Sequence, residues 1–429
     1  MTPAELTHAI EALEGCLDFS RPADVQLSQF FRNYPKLGGR ERGFIAETVY
    51  GVLRRLRTLN HLARGEGRET RAEGARQATP RRLVLAWLAR FGGHNLRELE
   101  PLVGKHDLDW IRGLKAIDLS TLSPAEVLDL PDWLHERLKQ QYGDALTPLM
   151  QALNAPAPLD LRVNPAKLSR EAALEKLAAD GFNGEATPYS PLGIRLKGKP
   201  ALQKHPLFLD GSLEVQDEGS QLLGQLLAPK RGEMVCDFCA GAGGKTLLLG
   251  ALMRSQGRLY AFDVSEKRLA KLKPRLARSG LSNVQAQVLS NERDAKLKRL
   301  AGKFDRVLVD APCSGLGTLR RNPDLKWRQT PESVCELTAK QASILESASR
   351  LVKPGGRLVY ATCSLLHEEN REIVAAFLAA HPHYALEPIE PVLAAQRIAL
   401  DAPEDTLQLT PAQHGTDGFF AAVLTRQPE

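Results

Sequence analysis

Long hydrophobic runs are missing from this 429-residue chain: no stretch approaches the roughly 18–20 consecutive apolar residues of a membrane helix, so no helical span is expected. Cysteine is scarce, six in all, which does not read as a disulfide framework in so long a chain. Cys236 and Cys239 form a Cys-x-x-Cys spacing, but no second pair and no nearby His completes a tetrahedral set. Strand-end packing is therefore preferred for them, and no metal is expected. Cys16 and Cys335 read as inert packing. Met1 to Glu14 has acidic residues and no basic, apolar, cleavable pattern, so a secretory signal is not expected and a cytoplasmic location is.

What remains is globular in composition, 43% hydrophobic and 25% charged, and long enough for two or three domains. The formal charge of +6 suits a polyanionic partner, and its distribution says more. Six Arg against three Glu lie between Arg64 and Arg82, a run equally readable as a solvated loop. A second concentration, Leu319-Arg-Arg-Asn-Pro-Asp-Leu-Lys-Trp-Arg328, sets Arg320, Arg321, Lys326 and Arg328 to neutralise phosphates and Trp327 to stack on a base. These five are the candidate RNA contacts.

Residues 1–153 read as all-helical: Phe44, Ile45, Val49, Val52, Leu53, Leu56 and Leu59 recur at three- and four-residue steps. Asn154-Ala-Pro-Ala-Pro158 breaks the pattern as a linker. Residues 159–229 form a small α+β cap, with a strand at Leu159–Val163, a helix at Ser169–Asp180 and a weaker strand at Gly193–Lys197. Residues 230–429 alternate strand and helix. Strands are expected at Met234–Phe238, Arg258–Asp263, Val284–Leu289, Arg306–Asp310 and Arg357–Thr362, with Phe419–Leu424 as an edge strand. Helices fall at Lys245–Arg254, Glu266–Ser279, Glu332–Leu351 and Glu368–Ala380, the second kinked or shortened by Pro274. The expectation is an α/β, Rossmann-like domain with a mostly parallel sheet covered on both faces.

Ligands of such sheets lie beyond the carboxyl ends of the strands. After the first strand comes Cys239-Ala-Gly-Ala-Gly-Gly-Lys-Thr246. A Walker A loop requires Gly where Cys239 stands, and a dinucleotide fingerprint requires Gly where Thr246 stands. The remaining reading is a loop for S-adenosylmethionine, whose carboxylate suits the helix N-terminus. Asp263 ends the second strand, where an acidic side chain meets ribose hydroxyls; Asp294 follows the third, for the adenine; Asp310 closes the fourth. Arg268 lies five residues beyond Asp263 and joins the candidate donor set.

Asp310-Ala-Pro-Cys-Ser-Gly-Leu-Gly317 and Ala361-Thr-Cys-Ser364 each place a cysteine just past a strand end, on the ligand face. Two thiols in one cleft suit methylation of cytosine carbon 5. That carbon is a poor nucleophile until a thiolate adds to carbon 6, and its proton must then be removed before the thiol can leave. A thiol of pKa ~8.5 is only about 3% ionised at neutral pH, so local activation is expected. A helix starting near Glu368 would help, although Glu368 and Glu369 oppose it. Chemistry alone does not say which cysteine attacks.

At Cys239–Thr246, Asp310–Arg328, Ala361–Asn370 and Gly415-Thr-Asp-Gly-Phe-Phe420 the chain resembles the RNA cytosine-C5 methyltransferases of the Sun/nucleolar-protein type. The resemblance implies a class I methyltransferase domain. It makes Cys363 the nucleophile and Cys313 the release group. It also puts Cys239, Ala240, Gly241, Ala242, Gly243, Gly244, Lys245, Asp263, Asp294 and Asp310 around the donor, Asp310 also near the base. Phe30-Phe31, Gly38–Ile45 and Val49–Arg54 resemble the NusB-like domain of the bacterial ribosomal RNA member, implying an RNA partner, small-subunit ribosomal RNA above all. Two departures stand out. Gly241 and Ala242 replace the family's Ala and Pro, and Ser290-Asn-Glu-Arg lacks its usual turn before Asp294. A monomer is expected. The alternatives are the same chemistry on transfer RNA or another structured RNA, a non-catalytic RNA-binding assembly factor, and a DNA methyltransferase. The last lacks support because there is no large target-recognition insertion.

Overall fold

The computed structural model describes residues 1–64, 78–114, 116–402 and 405–428, so the arginine-rich reading at 65–77 lies outside the described residues. The chain divides into two compact units. One comprises Met1–Ala155 with Leu319–Thr330, the other Pro156–Thr318 with Pro331–Glu429.

The first unit is helical. Its opening helix, Pro3–Glu14, starts with Pro at the first turn and a reciprocal cap between Thr2 and Glu5. Gly39–Arg54 buries Ile45, Val49, Val52 and Leu53 on one stripe, and the chain breaks at Arg55 before Leu56–Arg64 continues it. Gly51 lets the helix Pro80–Arg90 approach, since a Cβ there would fall 2.1 Å from the Trp87 ring.

Leu319–Thr330 belongs to this unit through buried polar contacts. Lys326 is wholly buried and donates to Arg54 O at 2.9 Å and Asn154 Oδ1 at 3.0 Å. The Trp327 indole donates to Leu53 O at 2.8 Å, Arg320 is buried with its carbonyl accepting from Arg54, and Asp324 takes the Ala23 N–H that opens a helix. The polar hydrogens of Lys326 and Trp327, two of the candidate RNA contacts, are thus directed at this unit's own backbone and Asn154. Arg321 and Arg328 are half-buried, Arg328 lying 3.7 Å from Asp324.

In the second unit, β1 (Leu159–Val163), β2 (Gly184–Ala186), β3 (Gly193–Leu196) and β4 (Leu213–Val215) form an antiparallel sheet in the order β2-β3-β1-β4. Leu161, Val163, Ile194 and Leu196 pack there with Ala173 and Leu177 of the helix Arg170–Ala179.

The larger sheet holds β5 (Met234–Asp237), β6 (Arg258–Asp263), β7 (Val284–Val288), β8 (Phe304–Asp310), β9 (Val352–Thr362), β10 (Tyr384–Glu387), β11 (Leu407–Leu409) and β12 (Phe419–Arg426). Its order is β10-β12-β9-β8-β5-β6-β7, with β11 also on β12. The five strands from β7 to β9 run parallel, while β12 is antiparallel to β9 and to β10. The sheet is therefore mixed. β12 is not the expected edge strand: it is paired on both sides, and six of its eight residues are buried. Pro274 has its expected effect. The helical stretch divides into Glu266–Leu269 and Leu272–Ser279, because proline has no N–H to return to Ala270. Cys335 proves exposed on Pro331–Ser349, not packed, whereas Cys16 is buried.

Burial pushes the Lys326 ammonium down from 10.5 to about 7. The unfolded chain then holds one proton more than the folded chain between about pH 7 and 10.5, so folding stability rises with pH across that window. Denaturant titrations of the whole chain at pH 7 and pH 9.5 are expected to show this gain, and Lys326→Met to reduce it.

Candidate active site

The order of the larger sheet reverses between β5 and β8. A crevice opens there beyond their carboxyl ends, since the connections leaving these two strands cross to opposite faces. Asp237 ends β5 and the loop Phe238–Gly243 follows it, and Asp310 ends β8. Lys245, in the first turn of the helix Gly244–Leu252, reaches across to Asp310 Oδ2 at 2.7 Å. Burial alone would lower the Lys245 ammonium, but the Asp310 carboxylate outweighs it and holds it above its ordinary value. The ammonium therefore stays charged.

The glycine loop is tightly built. Gly241 and Gly243 have φ of +56° and +85°, a region unfavourable to side chains. Gly241 N–H donates to Asp263 Oδ2 at 2.8 Å, while Ser265 N–H occupies the other Asp263 oxygen at 2.7 Å. Arg268 lies 3.9 Å from Asp263 with its side chain largely exposed, and it passes close over Gly241. Beneath the loop, Asp237 is buried and accepts from Thr246 Oγ1 at 2.6 Å; its Oδ1 has no partner. Burial pushes its carboxyl up to about 7. Cys239 is partly exposed beside it, its thiol held well above the ordinary value by desolvation and the nearby carboxylates. Cys236 is wholly buried in the sheet core.

Two side chains that sequence reasoning passed over brace this loop from behind. Arg162 of β1, fully buried, donates to Gly244 O at 2.7 Å and to Gln216. Arg275 donates to Ala242 O at 2.7 Å, and it is itself fixed with Arg278 on Glu214 of β4. The small sheet thus buttresses the glycine loop.

Asp294 stands apart. Its carboxylate accepts from Ser290 N–H, Ser290 Oγ and Lys296 N–H, capping its own short turn. These local bonds hold its carboxyl below the usual range.

The two cysteines meet. Cys313 follows β8, Cys363 follows β9, and their Sγ atoms are 3.4 Å apart. The hydrogen bond to Cys363, then burial, then the charges of Cys363 and Glu369 raise the Cys313 thiol well above its ordinary value. The helix expected near Glu368 begins instead at Arg371, and Glu369 is turned inward and wholly buried. The two cysteine loops are held by a backbone contact as well. Gly317 N–H donates to Cys363 O at 2.9 Å, and Gly418 N–H, just before β12, donates to Gly317 O at 2.8 Å. The closing Asp-Gly-Phe-Phe segment thus carries a positional requirement that its composition did not reveal.

Comparison with known proteins agrees with this architecture. Residues 224–425 match the family described as 16S rRNA methyltransferase RsmB/F, and residues 130–203 match the ferredoxin-like domain of RsmF/B-like methyltransferases. A probable ribosomal RNA small subunit methyltransferase B from Synechocystis sp. is 35% identical, over 94% of this chain and 95% of that one. The chain belongs to this methyltransferase family. A ribosomal RNA small subunit methyltransferase B from Pasteurella multocida is 36% identical, over 81% of this chain and 72% of its own length. Among solved structures, one titled as that of PH0851 covers 99% of both chains with a TM-score of 0.78 and 28% identity. A methyltransferase homolog from Pyrococcus horikoshii covers 72% of this chain and 100% of its own, with a TM-score of 0.62 and 30% identity.

A Cβ at Gly317 would lie 2.1 Å from Gly418 O and 2.9 Å from Cys363 O, both backbone atoms that cannot rotate away. Gly317→Ala is expected to cost about 1–3 kcal/mol of stability, measured by denaturant unfolding. Gly302→Ala, with open space around it but φ +65°, serves as the control for backbone strain alone.

Proposed function

We propose that this protein uses S-adenosylmethionine to methylate carbon 5 of a cytosine in small-subunit ribosomal RNA, through a covalent Cys363–cytosine adduct. The observation that carries the reading is the thiol pair, 3.4 Å apart, which shares the end of β8 with the Lys245–Asp310 pair.

The loop fits the donor. Two left-handed glycines leave backbone free for close approach, and the unpartnered Asp237 Oδ1 offers an acceptor beneath it. Cys239, Ala240, Gly241, Ala242, Gly243, Gly244 and Lys245 would hold the amino-acid end, Asp263 and Arg268 the ribose side, and Asp310 the side towards the base. Asp294, engaged with its own turn, is assigned no contact. When bound, S-adenosylmethionine supplies the methyl group from its sulfonium.

Cys363 Sγ, as thiolate, adds to carbon 6 of the cytosine, and the electron pair displaced makes carbon 5 enamine-like and able to accept a methyl group. Asp310 is assigned to ring nitrogen 3, where the developing charge appears, with Lys245 fixing its carboxylate. Loss of the carbon-5 proton then reforms the double bond and expels Cys363. Cys313, whose Sγ lies 3.4 Å from that of Cys363, is assigned to this release step.

The helical unit is proposed to be NusB-like and to bind RNA, and the protein to act as a cytoplasmic monomer. Full-chain Cys363→Ala is expected to lose methyl transfer by at least ~1000-fold, while Cys313→Ala retains an RNA–protein adduct on denaturing gels. An adduct in Cys363→Ala and none in Cys313→Ala would reverse the two roles. Bisulfite sequencing of cellular RNA from a deletion strain identifies the substrate: one unprotected cytosine in small-subunit ribosomal RNA is expected, and a transfer RNA position would reassign it.

A further inference from the structure

Each cysteine is followed by a serine, and both serines reach one carboxylate. Ser314 Oγ donates to Glu369 Oε2 at 2.5 Å, and Ser364 Oγ donates to the same oxygen. The two hydroxyls also lie 3.0 Å from each other. The second oxygen, Oε1, accepts Ser314 N–H at 2.7 Å and Gln341 Nε2 at 3.0 Å. Gln341, on Pro331–Ser349, donates from the same nitrogen to Pro312 O at 3.0 Å. Glu369 is itself immobilised. Its carbonyl accepts from Tyr360 Oη at 2.7 Å, and the next residue, Asn370, bonds Thr362 Oγ1 at 2.5 Å and Ser364 O at 3.0 Å.

Burying a carboxylate is costly unless its lone pairs are satisfied, and this one has four donors. None of them belongs to a cation: three come from the two cysteine loops themselves and the fourth from Gln341. Structural economy alone would favour an apolar residue at such a position, whereas a device for fixing two loops against each other needs directional bonds to both.

We propose that Glu369 is a positioning residue for the methyl-transfer reaction, a buried clamp that sets the separation of the Cys313 and Cys363 thiols by binding Ser314 and Ser364 at once. It touches neither substrate nor donor and acts only through the two serines. The charge has a second effect in the same direction. Glu369 faces Cys313 through Ser314 and disfavours a negative charge there. The proposal rests on the function given above, but the second of its two measurements does not.

The full-length variants Glu369→Gln, Ser314→Ala and Ser314→Ala/Ser364→Ala are compared with the parent by two measurements. The first is steady-state methylation of small-subunit RNA. The expected result is a kcat lower by about tenfold or more, with KM for RNA within about twofold, because misplacing reacting groups costs rate and not binding. The second needs no catalysis. Diamide removes two electrons and two protons from two neighbouring thiols, and the rate of Cys313–Cys363 disulfide formation, followed by peptide mapping, reports their separation. That rate is expected to fall about tenfold or more in the variants. Glu369→Gln keeps the shape of the side chain; should it fail to fold, the serine variants decide. Unchanged kcat and unchanged disulfide rate in folded variants overturn the clamp, as does a change confined to KM. A parent that methylates no RNA, with variants that still lose disulfide formation, overturns the function and leaves the clamp standing.

Discussion

The reversal of strand order between β5 and β8 is the constraint on which the site depends. Two adjacent parallel strands whose following connections leave on opposite faces open a gap that neither can fill, and the gap lies where carboxyl-end loops converge. The glycine loop comes from one side, Asp310 and the Pro-Cys segment from the other, and Lys245 closes the distance between them with a bond of 2.7 Å. β9 lies beside β8, so the Thr-Cys-Ser segment emerges next to the Pro-Cys segment with no further instruction. Convergence of the cysteines is thus a result of sheet order. Their separation is a result of what lies beneath them.

Those two levels differ in what they demand of side chains. Sheet order follows from alternating apolar strands and amphipathic helices and tolerates many residues at each position. The floor of the site tolerates few. Gly317 and Gly418 meet backbone to backbone, and Arg162 and Arg275 hold loop carbonyls from outside the loop. Without those arginines, the Ala242 and Gly244 carbonyls would lose donors supplied by the small sheet and the helix beside it. The small sheet therefore does more than cover the larger one: it fixes the backbone proposed to receive the donor.

The same division explains what was legible in the sequence. Strands β5, β6 and β8 were readable as short apolar runs before a glycine-rich or acidic turn, β7 by its alternation, and β9 only over its apolar second half from Arg357; Pro274 marked its helix break. β10 and β11 were not, being four and three residues long with no distinctive alternation. β12 read as an edge because the strands that pair with its other side went unrecognised. At the site, the cysteines, the glycine loop, Asp263 and Asp310 carried motif-level signals. Arg162 did not, since an arginine in a strand reads as solvent-facing when the surface it meets belongs to another element. The surroundings of Lys326 were illegible for the same reason: its charge suggested a phosphate, while its partners in the structure are a carbonyl and an amide of residues far away in sequence. Long-range burial of a charged side chain leaves no local periodicity to read.

One consequence concerns how such a protein can be divided or recombined. The segment Leu319–Thr330 begins six residues after Cys313 and ends just before the helix Pro331–Ser349, yet its Lys326, Asp324 and Trp327 complete the helical unit. That unit is consequently not a contiguous cassette. Excising residues 1–155 would leave a fragment without the segment that satisfies Arg54, Asn154 and the Ala23 amide, and would strand a buried lysine in the remainder. Exchange of the amino-terminal module between relatives must carry a second, internal stretch of chain with it. That requirement ties the history of the helical unit to that of the loop bearing Cys313.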